Sequence, residues 1–302
     1  MENTACNICG GKVLLPVFSS GSFMYPDKTF SLVECAGCGL VFLNPRPDRD
    51  EIGKYYAGYH LHIDISGLSR LSKRILLVEA IGSTKYETSH NRDKFLEIGF
   101  GDGLFLEYMR NKNWDVYGIE IEEECVNRMK KLGFENVYAG GVFRKSFDEA
   151  SFDLVRLNQA LEHMHDPLQV LQEIKRILKV GGKLVISVPN FNGACHRFFR
   201  EHAYPLHLPF HLYFFSLSTL QKLIEKAGGL KITKSHKNHS FVLYLASLVQ
   251  FLKRDNKNNP SYRFSDAKLI IHRLIGIIAL PFMNLLNLFV EGDNLEVEII
   301  KV

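Results

Sequence analysis

The sequence predicts an α/β fold, doubly wound around a mostly parallel sheet, with a small cysteine-held module in front of it. Three observations carry that prediction. From residue 94 onward, short apolar runs such as Phe95-Leu96-Glu97-Ile98 alternate with stretches of helical periodicity, the pattern of βαβ units. A glycine-rich turn, Gly99-Phe100-Gly101-Asp102-Gly103, follows the first of these runs and leads into a helical stretch. Four of the six cysteines fall within the first 38 residues, as two Cys-x-x-Cys pairs. A chain of 302 residues is long enough for one large α/β domain plus an appendage. Its 37 Lys and Arg are dispersed and nearly matched by 33 Asp and Glu, so nucleic acid is not an expected partner.

The cysteine pairs come first in the chain. Cys6 and Cys9, and Cys35 and Cys38, are each separated by two residues and followed by Gly10 and Gly39. Such a gap lets two thiolates of one turn reach the same ion. Two turns then supply a closed tetrahedron that suits structural Zn²⁺. Between the pairs, Lys12–Phe18 and Thr29–Glu34 are rich in β-formers, with a turn at Tyr25–Lys28. Residues 1–48 therefore read as a zinc ribbon. Met1–Cys9 has neither the cationic start nor the apolar run of a signal peptide. The expected setting is cytoplasmic, where thiols stay reduced. Cys125 and Cys195 stand alone and read as packed thiols.

Residues 49–90 read as a helical lid and linker. Leu43–Asp48 is a stiff, proline-bearing connector, and Tyr55, Tyr56 and Tyr59 follow it. The tyrosines could cover a ligand pocket or pack against the ribbon. Leu68, Leu71, Ile75 and Val78 put a helix over 66–80, and a polar stretch runs over 82–93.

In the domain spanning 91–302, the strand Phe95–Ile98 feeds the glycine turn and a helix over Leu104–Asn111. The next strand starts at Val116 and ends in Gly118-Ile119-Glu120. A carboxylate at that strand end can accept ribose hydroxyls, so the pattern points to a ribose-bearing cofactor. At this point NAD and S-adenosylmethionine both remain open.

The run Leu96–Gly103 resembles the first motif of class I S-adenosylmethionine-dependent methyltransferases, which carry an acid two places before the first glycine, here Glu97. The remaining segments follow that family's order. Ser151–Val155 resembles its fourth strand and Leu161–Pro167 the loop beyond it. In that loop Asp166 can cap a helix that begins at Pro167. Leu178–Leu184 resembles the turn into the fifth strand, which ends at Val188-Pro189-Asn190. Ser216–Gly228 is a further helix and Leu295–Val302 the last strand. The resemblance implies a Rossmann-like, seven-stranded sheet with S-adenosylmethionine as cofactor. It places Glu97, Gly99 and Gly101, with Gly103 of the same turn, at the cofactor's methionine end. It places Glu120 on the ribose and Asn158 beside the sulfonium.

Four histidines, His196, His202, His207 and His211, lie in the insert Phe191–Phe215, which reads as a polar loop over the active site. Phe210–Leu217 resembles a segment of sugar C-methyltransferases that also carry an N-terminal zinc-binding domain. In them a histidine at the position of His211 meets the substrate, helped by a glutamate and a tyrosine. Phe210 and Leu208 replace those two here. The departure turns the expectation toward a hydroxyl acceptor with His211 as general base. His163 is a second catalytic candidate. Quinone-biosynthesis O-methyltransferases share its Leu161-Glu162-His163 loop and use acidic groups there for a metal, where Gln159 stands here in place of a further acid. The expected acceptor is a small molecule: a sugar, nucleotide sugar or lipid-linked glycan. RNA methylation, quinone-type O-methylation and non-catalytic S-adenosylmethionine binding are the alternatives.

Residues 241–291 hold an apolar run over Phe241–Leu252, a polar middle, and a second apolar run over Leu269–Val290. The first run is too short to cross a bilayer, and the last strand must return to the sheet. The expectation is a helical hairpin with one very apolar face. That face could pack on its own domain, rest on a membrane surface or lipid-linked substrate, or form a homodimer. In the membrane case the protein would be peripheral.

Overall fold

The computed structural model describes residues 1–22, 25, 27–56, 73, 76–77, 80–252 and 290–302. The ribbon begins with β1 (Leu14–Gly21), β2 (Thr29–Cys35) and β3 (Val41–Leu43), followed by a short helix α1 (Ile52–Tyr56). The large domain continues as β4 (Lys94–Ile98), α2 (Leu104–Asn111), β5 (Asp115–Glu120), α3 (Glu123–Lys131), β6 (Val137–Ala139) and β7 (Phe152–Asn158). After these come α4 (Pro167–Ile177), β8 (Leu178–Pro189), α5 (Ala194–Phe199), β9 (Tyr213–Phe214), α6 (Leu217–Ala227), β10 (Leu230–Asn238), α7 (Phe241–Leu252) and β11 (Asn294–Lys301).

Seven strands form one sheet in the order β10-β11-β8-β7-β4-β5-β6. The pairs among β4 to β8 are parallel, while β11 runs antiparallel to both β8 and β10. The chain moves outward from β4 to β6, then returns to the other side of β4 as β7. The strand order therefore reverses between β4 and β7, and ligands of such sheets bind beyond the carboxyl ends at that point. The glycine turn after β4 and the Leu161-Glu162-His163 turn after β7 both end up there.

The local signals work as chemistry predicts. Asp166 accepts a hydrogen bond from Gln169 N at 3.0 Å, with Pro167 opening α4. Ser216 and Thr219 form a reciprocal capping box at the start of α6. One element differs. The expected turn at Gly181-Gly182 is a wide irregularity inside β8: the pairing with β7 jumps from Phe152↔Leu178 to Leu154↔Lys183. The residues between bulge out of the ladder, and the strand continues to Pro189.

The ribbon is not a separate bead. Its antiparallel sheet has the order β1-β2-β3-β9, and β9 comes from the histidine insert more than 150 residues later. Val41 pairs with Phe214 and Phe42 with Tyr213. The tyrosines divide between the two expectations. Tyr55 is buried against Tyr25 and Phe30 in the ribbon, at ring distances of 5.0 and 6.2 Å. Tyr56 turns the other way, onto Phe210 at 5.0 Å. Tyr59 lies outside the described residues, as does most of the helix expected over 66–80. Lys73, Leu76, Leu77, Ala80 and Ile81 are helical.

Of the expected apolar hairpin, α7 is described and residues 253–289 lie outside the described residues. Helix α7 packs on its own domain: Tyr244 and Phe251 meet Phe199 of α5 at 5.1 and 6.0 Å, and Ser247 Oγ accepts from Tyr204 N at 2.9 Å. Among the described residues, no helix is long and apolar enough to cross a membrane.

Candidate functional site

The first half of the site lies over β4 and β5. Gly99 leaves β4 with φ +78°, and a Cβ there would lie 2.9 Å from the Ala160 methyl, so the turn requires glycine. Gly101 N donates to Glu120 Oε2 at 2.8 Å, while Ile121 N and Glu122 N donate to Glu120 Oε1 at 2.7 and 3.2 Å. These three bonds fix the carboxylate of Glu120 before any ligand arrives. A carboxylate has about four acceptor sites, so a ribose hydroxyl can be added to them.

Glu97 is buried at the end of β4 and ion-paired to Arg156 on the neighbouring β7. Arg156 also donates to Ala80 O and lies 3.7 Å over the Phe105 ring. Burial pushes the Glu97 carboxyl up, to about 7, against the opposing pull of Arg156. Its second oxygen, Oε2, is buried with no hydrogen-bond partner. An ammonium group would satisfy that orphan acceptor, so the residues present fit the methionine end of S-adenosylmethionine. Gly103 also has a packing role. It has φ +78° at the entry to α2, and the space of its absent side chain is filled by Met129, 2.2 Å from where a Cβ would stand. Asn158 is half-buried at the end of β7.

The second half of the site is a group of histidines around one carboxylate. Glu162 and His163 sit in a 3-10 turn, Leu161–His163, and Leu212 N donates to Glu162 O at 2.8 Å. That bond ties the turn to the insert at the residue after His211. His163 and His211 stand edge to face at 4.7 Å, and His207 lies 5.0 Å from His211. His211 Nδ1–H donates to Pro205 O at 2.8 Å, and His163 Nδ1–H to Phe210 O at 3.0 Å. Each Nε2 therefore keeps its lone pair. His211 Nε2 is 3.9 Å from Glu162 Oε1. Glu162 is fully buried, neither of its oxygens has a partner, and burial lifts its carboxyl to about 8. Burial lowers His163 to about 4 and His207 to about 3, and it holds His211 well below the ordinary histidine range. Tyr56 OH closes over His163 Nδ1 at 3.2 Å.

The two histidines singled out from sequence are thus brought together. The polar surface loop expected for most of the insert's histidines is overturned for His196 and His207, which are buried, while His202 is half-buried. The physical reason is that Leu206, Leu208, Phe210 and Leu212 draw the segment into the core. Sequence reasoning missed Arg156, whose signal was a lone cation in an apolar strand, and the orphaned state of Glu162, which only the tertiary arrangement defines.

His196 lies apart, against Phe191 at 5.0 Å, with both ring nitrogens unbonded. Burial depresses it to about 4. The unfolded chain takes up this proton near the ordinary value, about 6.5, so the stability is present above that pH and lost as pH falls toward 4. We expect wild type to lose about 2 kcal/mol more than His196→Leu between neutral pH and pH 5. Urea titrations at several pH values check this, and parallel curves for the two proteins would refute it.

The four N-terminal cysteines converge as the spacing predicts. The Sγ atoms of Cys6, Cys9, Cys35 and Cys38 all lie within 4.8 Å of one another, with Cys6 to Cys38 at 3.3 Å and Cys9 to Cys35 at 3.4 Å. All four are free thiols. Four sulfurs held about 2.3 Å from one ion stand roughly 3.8 Å apart, so the cluster fits a tetrahedral metal. This centre is tied to the acceptor side. Asn7, between Cys6 and Cys9, donates to Asp166 Oδ1 and accepts from Leu168 N, both at 3.1 Å. Arg46 donates to Tyr213 OH at 2.8 Å and to His165 O at 3.0 Å.

Known proteins agree with this architecture. Residues 66–234, more than half of the chain, match the family described as a methyltransferase domain. An uncharacterized protein of Methanocaldococcus jannaschii is 33% identical over 93 residues, covering 31% of this chain and 43% of that protein. The ubiquinone biosynthesis O-methyltransferase of Xanthomonas oryzae pv. oryzae is 31% identical over 103 residues, covering 32% of this chain and 43% of that enzyme. The chain thus spans less than half the length of these curated relatives. The crystal structure of an S-adenosylmethionine-dependent methyltransferase from Mesorhizobium loti shares the fold, with a TM-score of 0.50 and 14% identity over 76% of this chain and 98% of that one. With the strand order, the glycine turn and the placement of Glu120 in agreement, this chain belongs to the methyltransferase-domain family and has the class I, S-adenosylmethionine-dependent fold.

Proposed function

We propose that the chain transfers a methyl group from S-adenosylmethionine to an oxygen of a small-molecule acceptor: a sugar, a nucleotide sugar or a lipid-linked glycan. One observation carries this reading. Two complementary sites face the same strand-order reversal, the glycine turn with Glu120 on one side and Glu162, His163 and His211 on the other. When bound, S-adenosylmethionine supplies a methyl group on a sulfonium, which moves to the acceptor oxygen and leaves a neutral thioether. Glu120 would orient the ribose, and Glu97 Oε2 would meet the ammonium, with Gly99 and Gly101 at the same methionine end. Asn158 stands beside the reacting end. Glu162, His163 and His211 hold the acceptor hydroxyl and take its proton as the new O–C bond forms. Tyr56 and the insert exclude water.

Sugar acceptors are supported by the likeness of Phe210–Leu217 to zinc-containing sugar methyltransferases. Docking of α7 on the insert puts the start of an apolar segment beside the acceptor side, which supports a lipid-carried acceptor and a peripheral membrane location. Zn²⁺ at Cys6, Cys9, Cys35 and Cys38 serves as a brace. Quinone-type O-methylation is the second reading, favoured by the matched O-methyltransferase.

A panel of sugar nucleotides, lipid-linked glycans and catechol-type quinone precursors, assayed for transfer of radiolabelled methyl, tests the proposal. Turnover is expected in the first two classes. His211→Ala should lower kcat by about 10²–10⁴ and leave cofactor affinity near wild type. Turnover confined to the quinone precursors would select the second reading, and none in any class would sink both.

A further inference from the structure

We propose that Glu162, His163 and His211 bind a divalent transition-metal ion, in a site distinct from the four-cysteine centre. One ligand atom from each of the three lies within 4.8 Å of the others. Glu162 supplies the second, independent observation. Its side chain is fully buried, and neither carboxylate oxygen has a hydrogen-bond partner. A carboxylate removed from water without partners is strongly disfavoured, and a cation at this position removes the penalty.

The histidines are prepared in the same sense. Each commits Nδ1–H to a backbone carbonyl, Pro205 O for His211 and Phe210 O for His163. Metal-bound histidines are held in this way: the outer hydrogen bond fixes the tautomer and points the Nε2 lone pair inward. The donors come from two distant segments, the turn after β7 and the insert before β9. The Leu212 N to Glu162 O bond at 2.8 Å holds those segments together. Two imidazoles and one carboxylate suit Mn²⁺, Fe²⁺, Co²⁺ or Zn²⁺ rather than Mg²⁺ or Ca²⁺, which take oxygen donors. Three protein donors also leave coordination positions open. Resting on the methyl-transfer reading, we assign those positions to the acceptor: its hydroxyl, with an adjacent oxygen, would bind there as an alkoxide, releasing its proton to solvent as it binds, and with the ion present His211 serves as a ligand in place of a base.

The test uses the full chain with its cysteine centre loaded with zinc. Mn²⁺ binding is followed by electron paramagnetic resonance, and Co²⁺ binding by its visible absorption. Wild type is expected to take up one equivalent beyond the ribbon zinc. Glu162→Gln, nearly isosteric, and His163→Gln should each weaken binding by at least 100-fold, while His202→Ala binds as wild type. The proposal is overturned if wild type takes up no second ion, or if Glu162→Gln and His163→Gln bind as tightly as wild type. Methyl transfer persisting in protein that binds no second ion would remove this inference alone. A bound second ion without transfer to any acceptor would remove the functional reading and leave the metal site standing.

Discussion

Replacing Glu120 with alanine is expected to weaken S-adenosylmethionine binding by about 10²–10⁴ while leaving the protein folded. Hydrogen bonds to a charged group contribute about 1.5–3 kcal/mol each, so a ribose hydroxyl on the acceptor site that the three backbone bonds leave open accounts for about 1.5–3 kcal/mol of this. The substitution also removes the acceptor for Gly101 N, the bond that stations the glycine turn against β5. Glu120→Gln should fall between the two proteins, because an amide keeps one oxygen acceptor without the charge. Calorimetric titration with S-adenosylmethionine, S-adenosylhomocysteine and NAD decides the matter. Undiminished affinity in Glu120→Ala would reject the ribose assignment, and tight NAD binding by wild type would reject the cofactor.

The second large effect concerns the cysteine centre. Cys35→Ser, or removal of the ion with a strong chelator, is expected to lower the melting temperature by about 10 °C and turnover by more than 100-fold. Cofactor affinity should change by less than about 3-fold. Structural zinc contributes directly to folding free energy, and a loss of about 3–5 kcal/mol moves a domain of this size by roughly that many degrees. The division between turnover and cofactor binding follows from connectivity. β3 pairs with β9, Leu43 N bonds Leu212 O at 2.9 Å, and Asn7 helps cap the helix that follows the His163 turn. Releasing the ribbon therefore releases His211 and His163. The glycine turn and Glu120 sit on β4 and β5, away from these ties. Cys125→Ser, a buried thiol of α3, is the control. Equal losses in turnover and cofactor affinity would show general unfolding and defeat the claim of a local brace.

What the sequence made legible was local in character. The Cys-x-x-Cys pairs, the Asp166-Pro167 helix start, the helix over Ser216–Gly228 and the Gly99–Glu120 spacing are each decided by residues within about twenty positions. Each was found where expected. What stayed hidden depends on register between distant strands. Glu97 meets Arg156 because β4 and β7 align those two positions, and no local pattern encodes that alignment. The same holds for Glu162. Its chemistry changes from that of a loop-shaping acid to that of an unpartnered buried carboxylate only when the insert folds over it. The insert misled in the opposite direction: its histidines suggest a wet surface, yet the apolar residues at every second position decide its burial.

The pairing of β3 with β9 also has a consequence for biosynthesis. Phe42 leaves the ribosome 171 residues before its partner Tyr213. At about 5–20 residues per second, the third strand of the ribbon waits roughly ten to thirty seconds for the segment that completes its sheet. During that interval it presents an open hydrogen-bonding edge, of the kind that recruits stray strands. An ion captured early by the four cysteines would keep this edge short and rigid until the acceptor segment emerges. Zinc supply during translation, rather than after it, would then govern the yield of correctly joined protein.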